Sequence, residues 1–295
     1  MSVVHMTVKL FCVTFCSTGP PVIFTCACAV RKVVSNAAKM TMNFIFFIIR
    51  KFYLVVSIYA NLVIFVQNLI IMNNKKYISV SVMCSDLMNL GRDIDTLQSN
   101  GVDMLHVDVM DAHFVPNLTF GPDFIKAMQA RTDMPLDIHL MCEDPELIMG
   151  RFSLRPGDIL SSHVELDKDF TSISAKVRSA GALFGLAVNP ETPVTAVGKW
   201  LAHIDTVTLM LVHPGYAGAK MVEGIMDKVA EMRKFLDDSG YPQILISVDG
   251  SVSCERARLM LGMGADIFVG GTAGIYRKGM TLDESIPEMR KAITV

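Results

Sequence analysis

From Ile78 onward the chain alternates short β-branched runs with amphipathic helical stretches eight times, and this rhythm restricts the fold more than any other feature. The runs fall at Ile78–Met83, Met104–Val109, Leu136–Met141, Ile159–His163, Leu183–Val188, Thr206–Val212, Ile244–Val248 and Ile267–Val269. Between them lie helical patterns such as DLMNLGRDIDTLQSN, KMVEGIMDKVAEMRKFLDD and CERARLMLGMG. In the first of these, Leu87, Leu90, Ile94 and Leu97 recur at helical spacing, and Asp86 stands where a cap belongs. Eight strand–helix units in the 224 residues from Met72 to Val295 predict an α/β fold, a (β/α)8 barrel, slightly under the usual size of about 250 residues. A doubly wound open sheet is the competing architecture. No repeat or low-complexity linker interrupts 72–295, so this part reads as a single domain.

The placement of polar residues favours the barrel. Ser81, His106, Asp108, His139 and Asp249 fall at the C-terminal ends of predicted strands, as do the glycine-rich ends near Gly215 and Gly271. Active sites of such barrels lie on that face. An open sheet would gather its functional residues at one crevice, not on strands one, two, three, six, seven and eight.

Residues i and i+2 of a strand point the same way, so His106, Asp108 and Met110 share one face, and His139 and Met141 repeat the arrangement in DIHLM. Asp249 ends strand seven in SVDGS. Any one of these side chains alone is most simply a satisfied polar group. Two His and two carboxylates converging from three strands instead suggest a mixed N/O site for one divalent metal, and the donor set suits Zn, Fe, Mn or Co. HPGYAG (His213–Gly218), DGS (Asp249–Ser251) and GGTAG (Gly270–Gly274) end strands six, seven and eight. Barrels frequently bind phosphate on loops after strands seven and eight, where glycine lets backbone N–H groups approach an anion. Tight βα turns use glycine anyway, so it is three such loops together, beside the metal candidate, that point to a phosphate site.

Composition separates the two ends of the chain. Residues 1–71 contain no Asp or Glu and six Lys or Arg, which leaves 21 basic against 29 acidic residues in the remainder. That acidic balance gives no reason to expect nucleic acid. Cys84, Cys142 and Cys254 are far apart and show neither metal nor disulfide spacing, which fits a reducing cytoplasm. The 20 residues from Phe52 to Ile71 carry no charge and match a bilayer span, although Asn61, Gln67 and Asn68 weaken that reading. No small-residue cleavage site follows a short apolar core, so a secretory signal is not indicated. Three readings of 1–71 arise: a mis-set translation start with the domain beginning at Met72, a membrane anchor, or a folded extension. The acid-free Phe/Ile/Asn/Lys composition favours the first, and contact with a membrane is expected only if residues 44–71 are expressed.

HVDVMDAHFVPNLTFGP, PLDIHLM, NPETP, HPGYAG, and VDGS followed by GADIFVGGTAG together resemble the ribulose-phosphate 3-epimerase family, in order across residues 77–276. SVSVMCSDL, VDGS in place of VDGG, and VGGTAG look closer to its D-allulose-6-phosphate 3-epimerase branch. The resemblance implies a TIM barrel that inverts C3 of a ketose phosphate with a divalent metal. It places His106, Asp108, His139 and Asp249 on the metal ligands and Asp108 and Asp249 on the paired acid/base carboxylates. It makes Ser81 and His139 substrate contacts, and assigns the phosphate grip to Gly215, Tyr216, Ala217, Gly218, Gly250, Ser251, Gly271, Thr272 and Ala273. Met110, Met141 and Met210 match methionines lining the reacting centre. Asp111 and Asp137 are expected to organise loops or ligands through hydrogen bonds, His113 to be a loop residue, and His163 and Glu165 to support the pocket without being ligands.

The resemblance further implies a small phosphorylated ketose as partner and association into a homo-oligomer. The expected reaction is conversion of D-allulose 6-phosphate to D-fructose 6-phosphate, with D-ribulose 5-phosphate to D-xylulose 5-phosphate as the alternative. A membrane-tethered sugar-phosphate binder is a remote third reading, since a binder has no use for an acid/base pair. Decarboxylases and aldol-type synthases on related barrels would want a Lys among the carboxylates, and none lies in HVDVMD or beside Asp249. Several positions depart from the family pattern: Ala112 for Gly, Val80 for Pro, Tyr216 for Phe, Ala219 for Gln, and His213 where Asp, Asn or Glu is usual. Ala112 would be strained if its turn required a positive φ.

Overall fold

The computed structural model describes residues 75–294, and the expectations for residues 1–71 lie outside the described residues. Eight strands, β1 (Tyr77–Ser81), β2 (Met104–Met110), β3 (Leu136–Met141), β4 (Ile159–His163), β5 (Leu183–Val188), β6 (Thr206–Met210), β7 (Leu245–Asp249) and β8 (Ile267–Gly270), form a closed barrel in chain order. Every pairing is parallel, and β8 returns to pair with β1. Helices α1 (Leu90–Ser99), α2 (Pro122–Arg131), α3 (Pro145–Met149), α4 (Thr171–Ser179), α5 (Asp227–Asp238), α6 (Cys254–Gly262) and α7 (Leu282–Ala292) occupy six of the seven crossovers and the C-terminus. The stretch between β5 and β6 is instead wound as 3-10 turns over Val194–His203. Among the described residues no helix is long and apolar enough to cross a membrane.

Strand alternation builds two cores. Val80, Val107, Ile138, Leu160, Leu186, Val207 and Val248 belong to the buried layer between barrel and helices. On the other face, Tyr77, Met104, Ile159, Leu245 and Ile267 close the floor of the barrel. The next level holds small polar groups, and here Gly185 is required by close approach: a Cβ would run into Thr206 Oγ1 and Ser161 Oγ. Gly185→Ala is expected to cost about 1–3 kcal/mol through overpacking, lowering Tm by several degrees in a thermal melt.

Element boundaries differ from the periodicity at identifiable places. β1 stops at Ser81 because Val82–Cys84 coil into a 3-10 turn. α1 starts at Leu90 with Asn89 at its N-cap position; Asp86 closes the preceding turn by accepting Met88 N–H and Asn89 Nδ2, and Leu87 is exposed. β6 ends at Met210, two residues before the expected Val212. α5 begins at Asp227, not Lys220, because Gly224 adopts a φ of 72° that a helix cannot contain.

Candidate active site

Barrel register brings the polar strand ends to one level. Asp108 on β2 lies opposite His139 on β3, His106 opposite both Ser81 and Asp137, and Asp249 on β7 opposite Met210. His106, Asp108, His139 and Asp249 each offer one donor atom, all within 4.8 Å of one another. His106 Nε2 is 3.2 Å from Asp108 Oδ1 and 3.7 Å from Asp249 Oδ2, while His139 Nδ1 is 3.5 Å and 3.7 Å from the same two oxygens. Donors held about 2.0–2.2 Å from one cation are separated by roughly 3–3.5 Å, so these spacings fit a shared divalent ion. His139 Nδ1 is buried without a hydrogen-bond partner, aimed between two carboxylates. A lone pair so placed is satisfied by a cation.

The ligand-type side chains are themselves held. Asp137 Oδ2 accepts from His106 Nδ1 at 2.8 Å and from Ser79 Oγ at 2.8 Å, which turns His106 Nε2 toward the cluster. Ser81 Oγ donates to Asp108 Oδ2 at 2.9 Å. His163, wholly buried at the end of β4, meets His139 through their Nε2 atoms at 2.9 Å and places its Nδ1 3.0 Å from Glu165 Oε2. Asp111 takes its expected supporting role: Oδ1 accepts the N–H groups of His113 and Phe114, and Oδ2 that of Glu143.

Charge is distributed unevenly over the cluster. Burial disfavours a charged His106, but Asp108 and Asp137 outweigh it and raise its pKa well above the ordinary histidine value. Burial would also raise Asp108, yet the charge and hydrogen bond of His106 hold it well below the usual carboxylate range. Asp249 moves upward, through burial and the like charge of Asp108. Burial lowers His163 to about 4, so this imidazole is neutral, and hydrogen bonds from His163, Thr192 and the Asn189 N–H overcome burial to bring Glu165 down to about 2.

Above the cluster opens a narrow cleft with room for about 70 Å³ of water-sized occupants. Ser81, Met110, Met141, Met210, Gly215, Tyr216, Ala217, Gly218, Gly250, Ser251, Gly271, Thr272 and Ala273 all line it, with Asp108 and Asp249 at its base. His106 and His139 lie beneath and are almost wholly buried. Gly250 has a φ of 107°, and a Cβ there would stand 2.6 Å from Val212 Cγ2, so this position tolerates no side chain. Ser251, also left-handed at φ 54°, receives Arg256 Nη1 on both its carbonyl and its Oγ, each at 2.8 Å. The Tyr216 hydroxyl donates to the Pro116 carbonyl at 2.7 Å, tying the β6 loop to the β2 loop. His213 pairs with Glu191 on the surface at 2.6 Å. Met83 and Cys84 also line the cleft and escaped the sequence reading; their position just after β1 was the available signal. Burial pushes the Cys84 thiol pKa up, which disfavours a nucleophilic role.

Ala112 adopts φ 62°, the left-handed region. The turn therefore has the conformation for which glycine is suited. Ala112→Gly is expected to stabilise the fold by about 1 kcal/mol and raise Tm by about 2–4 °C. An unchanged or lower melting temperature would show that the turn carries no strain.

A closed parallel barrel with a His₂Asp₂ cluster and glycine-rich loops at the C-terminal ends of its strands defines a (β/α)8-barrel enzyme with a divalent-metal type of centre. The Ribulose-phosphate 3 epimerase family matches residues 77–275. The ribulose-phosphate 3-epimerase of Bacillus subtilis is 37% identical over 196 residues, covering 66% of this chain and 90% of the relative. That of Rhodobacter capsulatus is 35% identical over 212 residues, covering 72% and 90%. The chain belongs to the ribulose-phosphate 3-epimerase family, and it is an isomerase of the carbohydrate-phosphate 3-epimerase type. Both relatives carry the pentulose name, so the hexulose branch suggested by VDGS and VGGTAG finds no support in them. Among solved structures, a 3-hexulose-6-phosphate synthase is similar with a TM-score of 0.50 at 14% identity, covering 75% of this chain and 100% of that one. A Mycobacterium tuberculosis tryptophan synthase gives 0.51 at 12%, covering 78% and 96%. At such identities the likeness is one of barrel architecture.

Proposed function

We propose that this chain interconverts D-ribulose 5-phosphate and D-xylulose 5-phosphate by passing the C3 proton between Asp108 and Asp249. The observation that carries the reading is the pair of carboxylates, from β2 and β7, that meet at the base of one cleft while their pKa values move in opposite directions. Inversion at C3 beside a C2 ketone requires a base on one side of the carbon and an acid on the other. Asp108, kept ionised, removes the proton; Asp249, held toward its protonated form, returns one to the opposite face. In the reverse direction the two exchange roles. Ser81 fixes the Asp108 carboxyl through its hydrogen bond. The side chains of Met110, Met141 and Met210 exclude water without offering a competing proton. Backbone N–H groups of the β6, β7 and β8 loops hold the phosphate.

His106, Asp108, His139 and Asp249 would hold a divalent cation, whose positive charge would offset the negative charge that develops on the substrate as its proton leaves. The names of the curated relatives support the pentulose substrate over D-allulose 6-phosphate. C3 epimerisation assays on both sugar phosphates test the choice. The expected kcat/KM favours D-ribulose 5-phosphate by about tenfold or more; the reverse ratio would restore the hexulose reading, and turnover of neither with added divalent metal would remove both.

A further inference from the structure

We infer that Glu165 and His163 form a positioning relay that locks His139 in the tautomer whose Nδ1 lone pair faces the metal cluster. The inference rests on the reading of His139 as a metal ligand and extends it to two residues outside the donor set.

Hydrogen-bond direction carries the argument. The two Nε2 atoms of His139 and His163 face each other at 2.9 Å, so one must donate and the other accept. An ionised carboxylate only accepts, so at 3.0 Å from Glu165 Oε2 the His163 Nδ1 carries the proton. His139 Nδ1 makes no hydrogen bond although carboxylate oxygens lie 3.5 and 3.7 Å away, which is the geometry of a lone pair and not of a donor, so in the Nε2–Nε2 contact His163 is the acceptor. His139 must therefore donate from its own Nε2, and its bare Nδ1 points between Asp108 and Asp249. Both bonds therefore run toward the charge of Glu165.

That carboxylate is anchored in turn. Glu165 Oε1 accepts the Asn189 N–H at 2.8 Å. Lys228 Nζ, from α5, donates to the carbonyls of Asn189, Pro190 and Thr192 at 2.7, 3.0 and 2.5 Å, pinning the NPETP loop that presents this N–H. The Phe114 ring covers His163, with ring centroids 4.6 Å apart. His106 is oriented by one carboxylate, Asp137, whereas His139 is oriented by a carboxylate acting through a second imidazole.

Glu165→Gln tests the relay with almost no change of shape. The Asn189 N–H selects the amide orientation that turns Oε1 toward it, so the Gln amide N–H faces His163 Nδ1. Every hydrogen bond then reverses, and His139 must carry its proton on Nδ1. In the metal-free full chain, histidine ¹⁵N NMR is expected to show His139 as the Nε2–H tautomer in the parent and as Nδ1–H in Glu165→Gln. Zn²⁺ affinity, measured by chelator competition, is expected to fall about 10–100-fold in the variant. An Nδ1–H tautomer in the parent would overturn the relay even if the variant did not fold. So would an unchanged tautomer, or Zn²⁺ affinity within about twofold of the parent, in Glu165→Gln. Should the tautomer switch as expected while the parent fails to bind Zn²⁺, the relay stands and the metal reading falls.

Discussion

Asp108→Asn and Asp249→Asn are each expected to reduce kcat for C3 epimerisation by about 10²–10⁴-fold, the usual range for a positioned acid or base. Both residues also belong to the metal-type cluster, so lost turnover alone does not separate proton transfer from metal binding. Isotope exchange does. With one carboxylate per face of C3, a variant that keeps its metal should still exchange the C3 proton of one epimer with solvent deuterium, through the surviving carboxylate. It should form the other epimer hardly at all. The two variants should show this one-sided exchange with opposite epimers. Metal analysis of each purified variant completes the measurement. Near-parental turnover in either would remove that residue from the acid/base pair, and exchange from both epimers in one variant would point to a single-base route.

The sequence and the molecule agree best where chemistry and periodicity reinforce each other. The i, i+2 spacing of His106 and Asp108 and the strand-end position of His139 and Asp249 sufficed to bring the four together, because barrel strands place their C-terminal ends at one level. The β3, β4 and β5 boundaries coincide with short runs that are buried almost throughout on both faces. Other features depend on turn geometry or on non-local contacts that no spacing encodes. The early end of β1 and the late start of α5 follow from local turns, Val82–Cys84 and the left-handed Gly224, that interrupt an otherwise periodic pattern. The Glu165–His163–His139 connection joins β3 and β4 through side chains and is anchored by the loop after β5, so SSHVEL alone could indicate only a supporting role. Ala112 shows the same limit: a residue type that argues against φ > 0 nevertheless occupies φ 62°, because the Ala112 N–H bond to the Asn117 carbonyl at 2.9 Å and the Asp111 side-chain bonds define the turn around it.

Divalent-metal affinity should rise by about tenfold per pH unit up to the folded-state pKa of His106, which lies well above the ordinary histidine value of 6.5, and level off beyond it. In the metal-free protein His106 sits between Asp137 at Nδ1 and Asp108 at Nε2, and their attraction outweighs the burial that would otherwise discharge the ring. A folded-state pKa above the unfolded value means that the imidazolium stabilises the metal-free fold fully below pH 6.5, and that this contribution fades as pH rises through the folded-state value. Coordination needs the Nε2 lone pair, so binding must expel that proton. Titration calorimetry with Zn²⁺ in two buffers of different ionisation enthalpy should report close to one proton released per ion at pH 7. Thermal melts should show the same linkage. At a fixed excess of Zn²⁺, each tenfold gain in affinity adds about 1.4 kcal/mol of stabilisation, so the gap in Tm between loaded and metal-free protein should widen by about 3–6 °C per pH unit. Affinity that is flat between pH 6.5 and 7.5, with no proton released, would mean that His106 already presents a free lone pair and that its two carboxylate neighbours do not hold it charged.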